Sequence, residues 1–296
     1  MTGLLLVDKP EDTSSAGVIR ALKPRLGGAK VGHLGTLDPF ASGLLPLCLG
    51  EATKIARYLL LERKAYTGTI RLGTATDTLD RTGQTVETAA VLALAPDAVE
   101  DVARRFRGRQ HQVPPMYSAL KRDGVPLYKL ARRGVEVARE AREIEIYALE
   151  LSLRAPDAID FALACSKGTY VRVLAADVGR ALGTVAHLER LRRTAVGSFD
   201  VRQATPLAAL LAAPADARLP LVPVRDALAG YAAFPLPSSD ALARLRRGQQ
   251  DPLGRLPAPD RADATALVLD GSGNVAAVIE AAGPRAWRLV RLLGVS

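Results

Sequence analysis

A chain of 296 residues is long enough for one large domain with a smaller one, or for two ordinary domains. Its hydrophobic fraction of 48% supports a sizeable core and excludes an intrinsically disordered chain. Forty Lys and Arg against 31 Asp and Glu give a formal net charge of +9, which favours a polyanionic partner, either nucleic acid or an anionic membrane surface.

Met1 to Thr13 lacks the basic and then apolar pattern of a secretory leader, and no apolar run approaches the ~20 residues of a membrane helix, so nucleic acid is the better-supported partner. In chain order, Gly3 to Asp8 reads as a buried strand stopped by Pro10. Thr13, Ser14 and Ser15 offer N-cap hydroxyls for a helix running to about Leu26. Gly43 to Leu49 is a short apolar run, and Glu51 to Leu61 has helical composition. From Ala65 to Leu72 the chain alternates, with Tyr66, Gly68, Ile70 and Leu72 on one strand face. Asp97 to Phe106 sets Val99, Val102, Ala103 and Phe106 on one helical stripe. Ile159, Phe161, Leu163 and Cys165 alternate as a strand, and Thr169 to Leu182 is helical with Val173, Leu174, Val178, Ala181 and Leu182 inward. Cys48 and Cys165 read as buried free thiols of a reducing, cytoplasmic protein. This irregular order points to an α+β fold on a mixed, mainly antiparallel sheet flanked by helices.

A Pro- and Ala-rich zone from Thr205 to Pro237 has the composition of a domain junction. Beyond it, Ala264–Asp270 and Asn274–Ile279 flank Gly271-Ser272-Gly273 as a hairpin, so a large domain over 1–231 and a small β-rich one over 232–296 are expected. The charge is concentrated as well. Arg104 to Arg142 carries eleven Lys and Arg against three acids, interleaved with Tyr117, Tyr128, Gly124 and Gly134. Basic side chains among aromatics suit an RNA backbone and unstacked bases, although the same composition fits a solvated surface insertion.

The stretch Gly32-His33-Leu34-Gly35-Thr36-Leu37-Asp38-Pro39-Phe40-Ala41-Ser42-Gly43 is neither helical nor alternating. Pro39 stiffens the backbone after Asp38, and a carboxylate fixed between apolar neighbours has the setting of a nucleophile or base; a turn-capping aspartate fits the same spacing. Arg172, opening a helix after Lys167-Gly168-Thr169-Tyr170-Val171, could orient a carboxylate through a planar contact or form an ordinary surface pair. His33, His111 and His187 are far apart, neither cysteine belongs to a CxxC pair, and no nucleotide-binding loop occurs, so no metal and no cofactor is expected. Asp77-Thr78-Leu79-Asp80 reads as a solvated or RNA-facing turn rather than a cation loop.

Taken together these segments resemble the TruB family, the bacterial tRNA pseudouridine-55 synthases. The resemblance runs over nearly the whole chain. It rests on Gly3 through Pro10, Gly32-His33 through Asp38-Pro39, Leu49 through Lys54, Lys64-Ala65-Tyr66 and Thr76-Asp77-Thr78 with Asp80. Pro115 through Lys121, Ser166 through Arg172 and Leu191-Arg192-Arg193 complete it. It implies a pseudouridine-synthase fold with a PUA-like RNA-binding domain at the C-terminus, acting as a monomer on the T-arm of tRNA, in the cytoplasm. It implies Asp38 as the catalytic aspartate, Tyr66 stacked on the flipped uracil and aiding removal of the C5 proton, and Arg172 paired with Asp38. Lys9, His33, Asp80, Tyr170 and Leu191 would line the substrate pocket. Arg109, Lys121, Arg122, Lys129, Arg132 and Arg133 would meet the RNA backbone from a mobile insertion. Leu34 departs from the family's usual Thr, which implies altered local packing and retained chemistry.

The reaction breaks N1–C1′, rotates the base and joins C5 to C1′; a carboxylate could add to C6 or act at C1′. Two other readings remain open on the sequence. A non-catalytic RNA-binding or RNA-folding protein would use only the basic insertion and the tail domain. A glycosidase or base glycosylase would use only a lone carboxylate.

Overall fold

The computed structural model describes residues 1–59, 63–236 and 238–294. In chain order the strands are β1 (Gly3–Lys9), β2 (Val31–His33), β3 (Ser42–Leu49), β4 (Lys64–Leu72), β5 (Thr74–Thr76), β6 (Thr85–Thr88), β7 (Gly108–Gln112), β8 (Lys121–Arg122), β9 (Val125–Pro126), β10 (Arg142–Ala155), β11 (Ala158–Cys165), β12 (Ala186–Val196), β13 (Phe199–Asp200), β14 (Thr205–Pro206), β15 (Leu221–Val222), β16 (Ala232–Pro235), β17 (Thr265–Leu269), β18 (Val275–Ala281) and β19 (Trp287–Leu292). The helices are α1 (Ser15–Leu22), α2 (Ala56–Leu59), α3 (Pro96–Phe106), α4 (Leu127–Ala131), α5 (Val171–Ala181), α6 (Leu207–Ala212), α7 (Val224–Ala227) and α8 (Ser239–Arg246).

The main sheet runs β14-β1-β3-β12-β4-β11-β10-β7. Only β1 with β14 and β3 with β12 are parallel; the other pairs are antiparallel, as the mixed order of elements suggested. β1 and β3 are apolar throughout because both of their faces are covered. Leu5, Val7, Leu45 and Leu47 pack into the cluster under α1, α3 and α5. Leu4, Leu6, Leu44 and Cys48 pack into a second cluster that reaches the C-terminal sheet. The Ser14 hydroxyl caps α1 by accepting from the Gly17 N–H at 2.9 Å.

β12 is the strand on which the site depends. It threads between β3 and β4, and two glycines let it approach. A Cβ on Gly43 (φ +103) would lie 2.3 Å from the Arg193 carbonyl oxygen, and one on Gly68 would lie 2.2 Å from that of Arg190.

Several expectations are corrected. α1 ends at Leu22 and continues only as a 3-10 turn over Lys23–Arg25. The helical composition from Glu51 resolves into a 3-10 turn (Gly50–Lys54) and the short α2; the end of that expected helix lies outside the described residues. The buried face of α5 is Val171, Leu174, Ala175 and Val178, whereas Ala181 is exposed. The basic segment 104–142 is not one insertion, because Gly108–Gln112 forms the edge strand beside β10 and Arg104 belongs to α3. What projects is the stretch between Gln112 and Arg142, with the β8–β9 hairpin and α4. The Pro- and Ala-rich zone is no free linker, since β14 and β15 both pair with β1.

The C-terminal sheet runs β16-β17-β18-β19, with the Gly271-Ser272-Gly273 turn joining β17 to β18. One face packs on Leu245 and Leu253; from the other, Leu267, Leu269 and Val278 join Leu4, Leu6 and Leu44. Arg57 with Glu280 (2.7 Å) adds a polar clamp at that seam.

Candidate active site

The loop between β2 and β3 carries Asp38, and hydrogen bonds from several directions hold it. The Leu37 N–H donates to the buried Ser15 hydroxyl at 3.0 Å, and that hydroxyl donates back to the Leu37 carbonyl at 3.2 Å. Lys9, fully buried on β1, donates to the carbonyls of Pro39 (3.1 Å), Thr13 (2.6 Å) and Pro10 (2.9 Å). A loop without ladder hydrogen bonds gains rigidity when its carbonyls are captured in this way.

Arg172 stands in the first turn of α5, opposite this loop. Its Nε donates to one Asp38 carboxylate oxygen at 2.8 Å, and its Nη2 to the other at 3.2 Å. The same guanidinium donates to the Thr78 carbonyl (2.9 Å) and the Tyr117 carbonyl (2.8 Å), so it joins the Asp38 loop, the 77–80 turn and the root of the projecting segment. It is 5% exposed, while a third of the Asp38 side chain remains open. Burial pushes the Asp38 carboxyl above the ordinary carboxylate range and Arg172 opposes the rise; the open third lets solvent moderate the shift.

Asp80 is not in a solvated turn. It is 4% exposed, and one oxygen accepts from the Thr78 hydroxyl (2.8 Å), the Thr82 N–H (2.9 Å) and the Thr82 hydroxyl (2.6 Å). The other oxygen lies 3.7 Å from the Arg172 Nε, so two carboxylates share one guanidinium.

Tyr66 on β4 and Arg193 on β12 are register partners, and Leu191 faces Gly68 two residues along the same face. Tyr66 and Leu191 are buried at 8% and 5% exposure, and burial pushes the Tyr66 hydroxyl up to about 12. Arg193, at 1% exposure, received no role from the sequence. Its Nε donates to the Leu44 carbonyl (2.8 Å) and its Nη2 to the Gly35 carbonyl (3.0 Å), and its charge bears on the Tyr66 hydroxyl across the ladder. The signal was its spacing: with Leu191 it occupies the inward face of a strand, where a charged residue needs a reason.

Of the other expected residues, Lys9 lies beneath the loop with its ammonium fully engaged, rather than open to a substrate. Burial lowers its pKa to about 8 against the pull of Asp12 and Asp38. His33 is half-buried on β2; burial and the Arg193 charge lower its pKa, and its buried Nδ1 has no partner. Tyr170, the N-cap of α5, is held by Gln112, whose side chain accepts from its N–H at 2.8 Å and donates to its carbonyl at 3.1 Å. Leu34 is entirely core, packed among Leu4, Leu6 and Leu44. Lys121, Arg122, Lys129, Arg132 and Arg133 are exposed on the projecting segment, and among the described residues none of them forms an ion pair. Arg109 is exposed on the edge strand β7, 4.0 Å from Glu145. Among the described residues no group of three or more His, Cys, Asp or Glu gathers as metal ligands would. A cavity of about 660 Å3 is lined by Thr67, Thr69, Asp160, Leu191 and Arg192 among others, and Asp38 does not line it.

Two family models match in succession: the TruB family pseudouridylate synthase N-terminal domain over residues 23–171, and the tRNA pseudouridylate synthase B C-terminal domain over 172–228. The chain is 49% identical over 229 residues to the tRNA pseudouridine synthase B of Azoarcus sp., covering 77% of this chain and 76% of that protein. It is 47% identical over 250 residues to the protein of that name from Geobacter sulfurreducens, covering 84% and 82%. With that of Burkholderia mallei it shares 49% identity over 268 residues, covering 89% and 87%. Among solved structures, a chain of a Cbf5-Nop10-Gar1 complex superposes with a TM-score of 0.71 at 22% identity, covering 98% of this chain and 84% of that one, which shows a common fold. Two consecutive family matches, relatives near half identity over most of both lengths, and a carboxylate held by an arginine on that fold lead to one conclusion: the chain belongs to the TruB family of pseudouridylate synthases.

Proposed function

We propose that this enzyme converts uridine 55 in the T-arm loop of tRNA to pseudouridine, with Asp38 as the catalytic carboxylate. The observation that carries the reading is the two-point contact between Arg172 and Asp38 on a loop whose backbone is fixed from below. A carboxylate must be ionised to attack C6 or to act at C1′, and burial alone would oppose that. The guanidinium keeps charge on Asp38 and fixes the plane of the carboxylate, while the open third of the side chain leaves room for a nucleoside. Removing a base from its stack costs a few kcal/mol. Tyr66, with Leu191 on the same sheet face, would receive the everted uracil, and stacking on an aromatic ring returns on the order of 1–3 kcal/mol.

In this reading the exposed Lys121, Arg122, Lys129, Arg132 and Arg133 meet the phosphates of the stem, and the projecting segment closes over it. The unit over 232–296 acts as a PUA-like RNA-binding domain. Action as a monomer needs no more than the Asp38, Tyr66 and Arg172 of one chain, and a tRNA substrate fits work in the cytoplasm. Asp38→Asn keeps shape and removes charge. Tritium release from tRNA labelled at uridine C5 should then vanish while tRNA binding persists; undiminished release would sink the assignment.

A further inference from the structure

Arg193 is the most deeply buried charged side chain of the site after Lys9, and no carboxylate pairs with it among the described residues. A buried cation without a counter-anion is costly, so its neighbours are informative. They are the backbone carbonyls of Leu44 and Gly35, a long 3.5 Å contact to that of Thr36, and Tyr66, its register partner on β4. The Arg193 charge adds to burial, the larger cause, in lowering the pKa of His33 and of Lys9. A guanidinium has donors and no acceptor. Toward the neighbouring Tyr66 oxygen it can therefore only donate, which leaves the hydroxyl hydrogen free to point elsewhere.

We infer that Arg193 is a positioning residue for the isomerisation: it ties the strand pair that carries Tyr66 to the Asp38 loop through Gly35, and offers its remaining donor capacity on the Tyr66 side so that the hydroxyl hydrogen faces away from it. The geometry fits that task closely. Arg193 and Tyr66 are register partners on adjacent strands, so the guanidinium needs no unusual reach. The same side chain spans to the Gly35 carbonyl, three residues before Asp38. One rigid group thus fixes the distance between the carboxylate and the ring that would face opposite parts of one nucleoside. Gly43 serves the same end, since any Cβ there would push the Arg193 backbone away.

The inference rests on the synthase reading and is tested within it. Arg193→Met keeps volume and removes the charge, a change that buried ion sites often tolerate; Arg193→Lys keeps the charge without the planar fork. With T-arm stem-loop RNA, Arg193→Met should lower kcat roughly tenfold to a hundredfold, the effect of one misplaced charge-assisted hydrogen bond, while RNA affinity stays within about twofold. Arg193→Lys should recover part of kcat. In protein carrying 13C at tyrosine Cζ, the resonance that disappears in Tyr66→Phe should move in Arg193→Met, with the other tyrosines unmoved. Unchanged kcat in folded Arg193→Met, an equal loss of affinity, or an unmoved Tyr66 resonance overturns the inference. Failure of both variants to fold would make the guanidinium a core element only and overturns it as well. If the wild-type enzyme forms no pseudouridine, the synthase reading fails instead; if wild type is active, Asp38→Asn inactive and Arg193→Met unaffected, the positioning role alone fails.

Discussion

Replacing Arg172 by Met tests the electrostatics of the site most directly. The guanidinium makes two contacts to Asp38 and one each to the Thr78 and Tyr117 carbonyls, and it stands 3.7 Å from Asp80. An opposite charge at this range depresses a carboxylate pKa by about 1–3 units. Asp38 is a third open to solvent, so screening tempers that effect here. The sign follows from the cause. Arg172 lowers an Asp38 pKa that burial has already raised, so removing it raises that pKa further. Activity needs the ionised form and is lost as pH falls through the pKa; the acid limb of kcat/KM should therefore move to higher pH. Above the limb, the loosened loop should still reduce kcat, on the order of a hundredfold for a misplacement near 1 Å. The assay is tritium release across pH 4–9, beside RNA affinity at each pH. A limb that stays in place would refute the claim that Arg172 holds Asp38 ionised, and equal losses of turnover and affinity would make Arg172 a binding residue only.

Lys9 loses its proton near 8 when folded, against 10.5 for the free side chain. Between those values the unfolded chain holds a proton that the native state does not, so Lys9 adds stability as pH rises, by at most about 1.4 kcal/mol per pH unit. Urea melts of wild type and Lys9→Met at pH 7 to 10 should diverge in favour of wild type with increasing pH; parallel curves would exclude it. Gly43→Ala places a methyl 2.3 Å from the Arg193 carbonyl at φ +103, and should cost about 2–5 kcal/mol in the same melts. A cost under about 1 kcal/mol would show that β12 is free to shift. Neutralising Lys121, Arg122, Lys129, Arg132 and Arg133 together should weaken tRNA binding steeply and flatten its salt dependence, by about 0.7–0.9 in log–log slope for each phosphate no longer neutralised. Saturated turnover should change little, and an unaltered salt slope would show that the projecting segment does not meet phosphates.

Strands with simple alternation were legible. Ala65 to Leu72 and Ile159 to Cys165 show period two because one face meets the core, and β1 and the Gly43–Leu49 run were plain because both faces do. The Asp38 loop stood out by its irregularity, and the family resemblance supplied its role. β12 was not legible as a strand. Arg190, Arg192 and Arg193 crowd its middle, and register shifts between Leu188 and Arg190 and between Arg193 and Ala195 interrupt its period. The solvated alternative for the 77–80 turn failed at Asp80 for a related reason: a short acidic turn looks solvated until a distant arginine is folded onto it. Burial of a charge depends on partners far apart in sequence, Arg172 being 134 residues from Asp38, and no local pattern records them.

On the proposed reading, the placement of the cations accounts for how a single carboxylate could suffice. Lys9, Arg172 and Arg193 are buried around the Asp38 loop, and of these only Arg172 hydrogen-bonds the carboxylate itself. Lys9 holds the Pro39 carbonyl and Arg193 the Gly35 carbonyl, so these two fix the loop through its backbone on either side of Asp38. Had either contacted the carboxylate, both oxygens would have been enclosed and Asp38 would be a buried ion pair rather than a reagent. Divided in this way, the charges supply rigidity from below and ionisation from one side, and leave a third of the side chain facing outward. Asp38 is thus the open carboxylate of the pair and Asp80 the enclosed one, which leaves a single carboxylate within reach of a bound nucleoside.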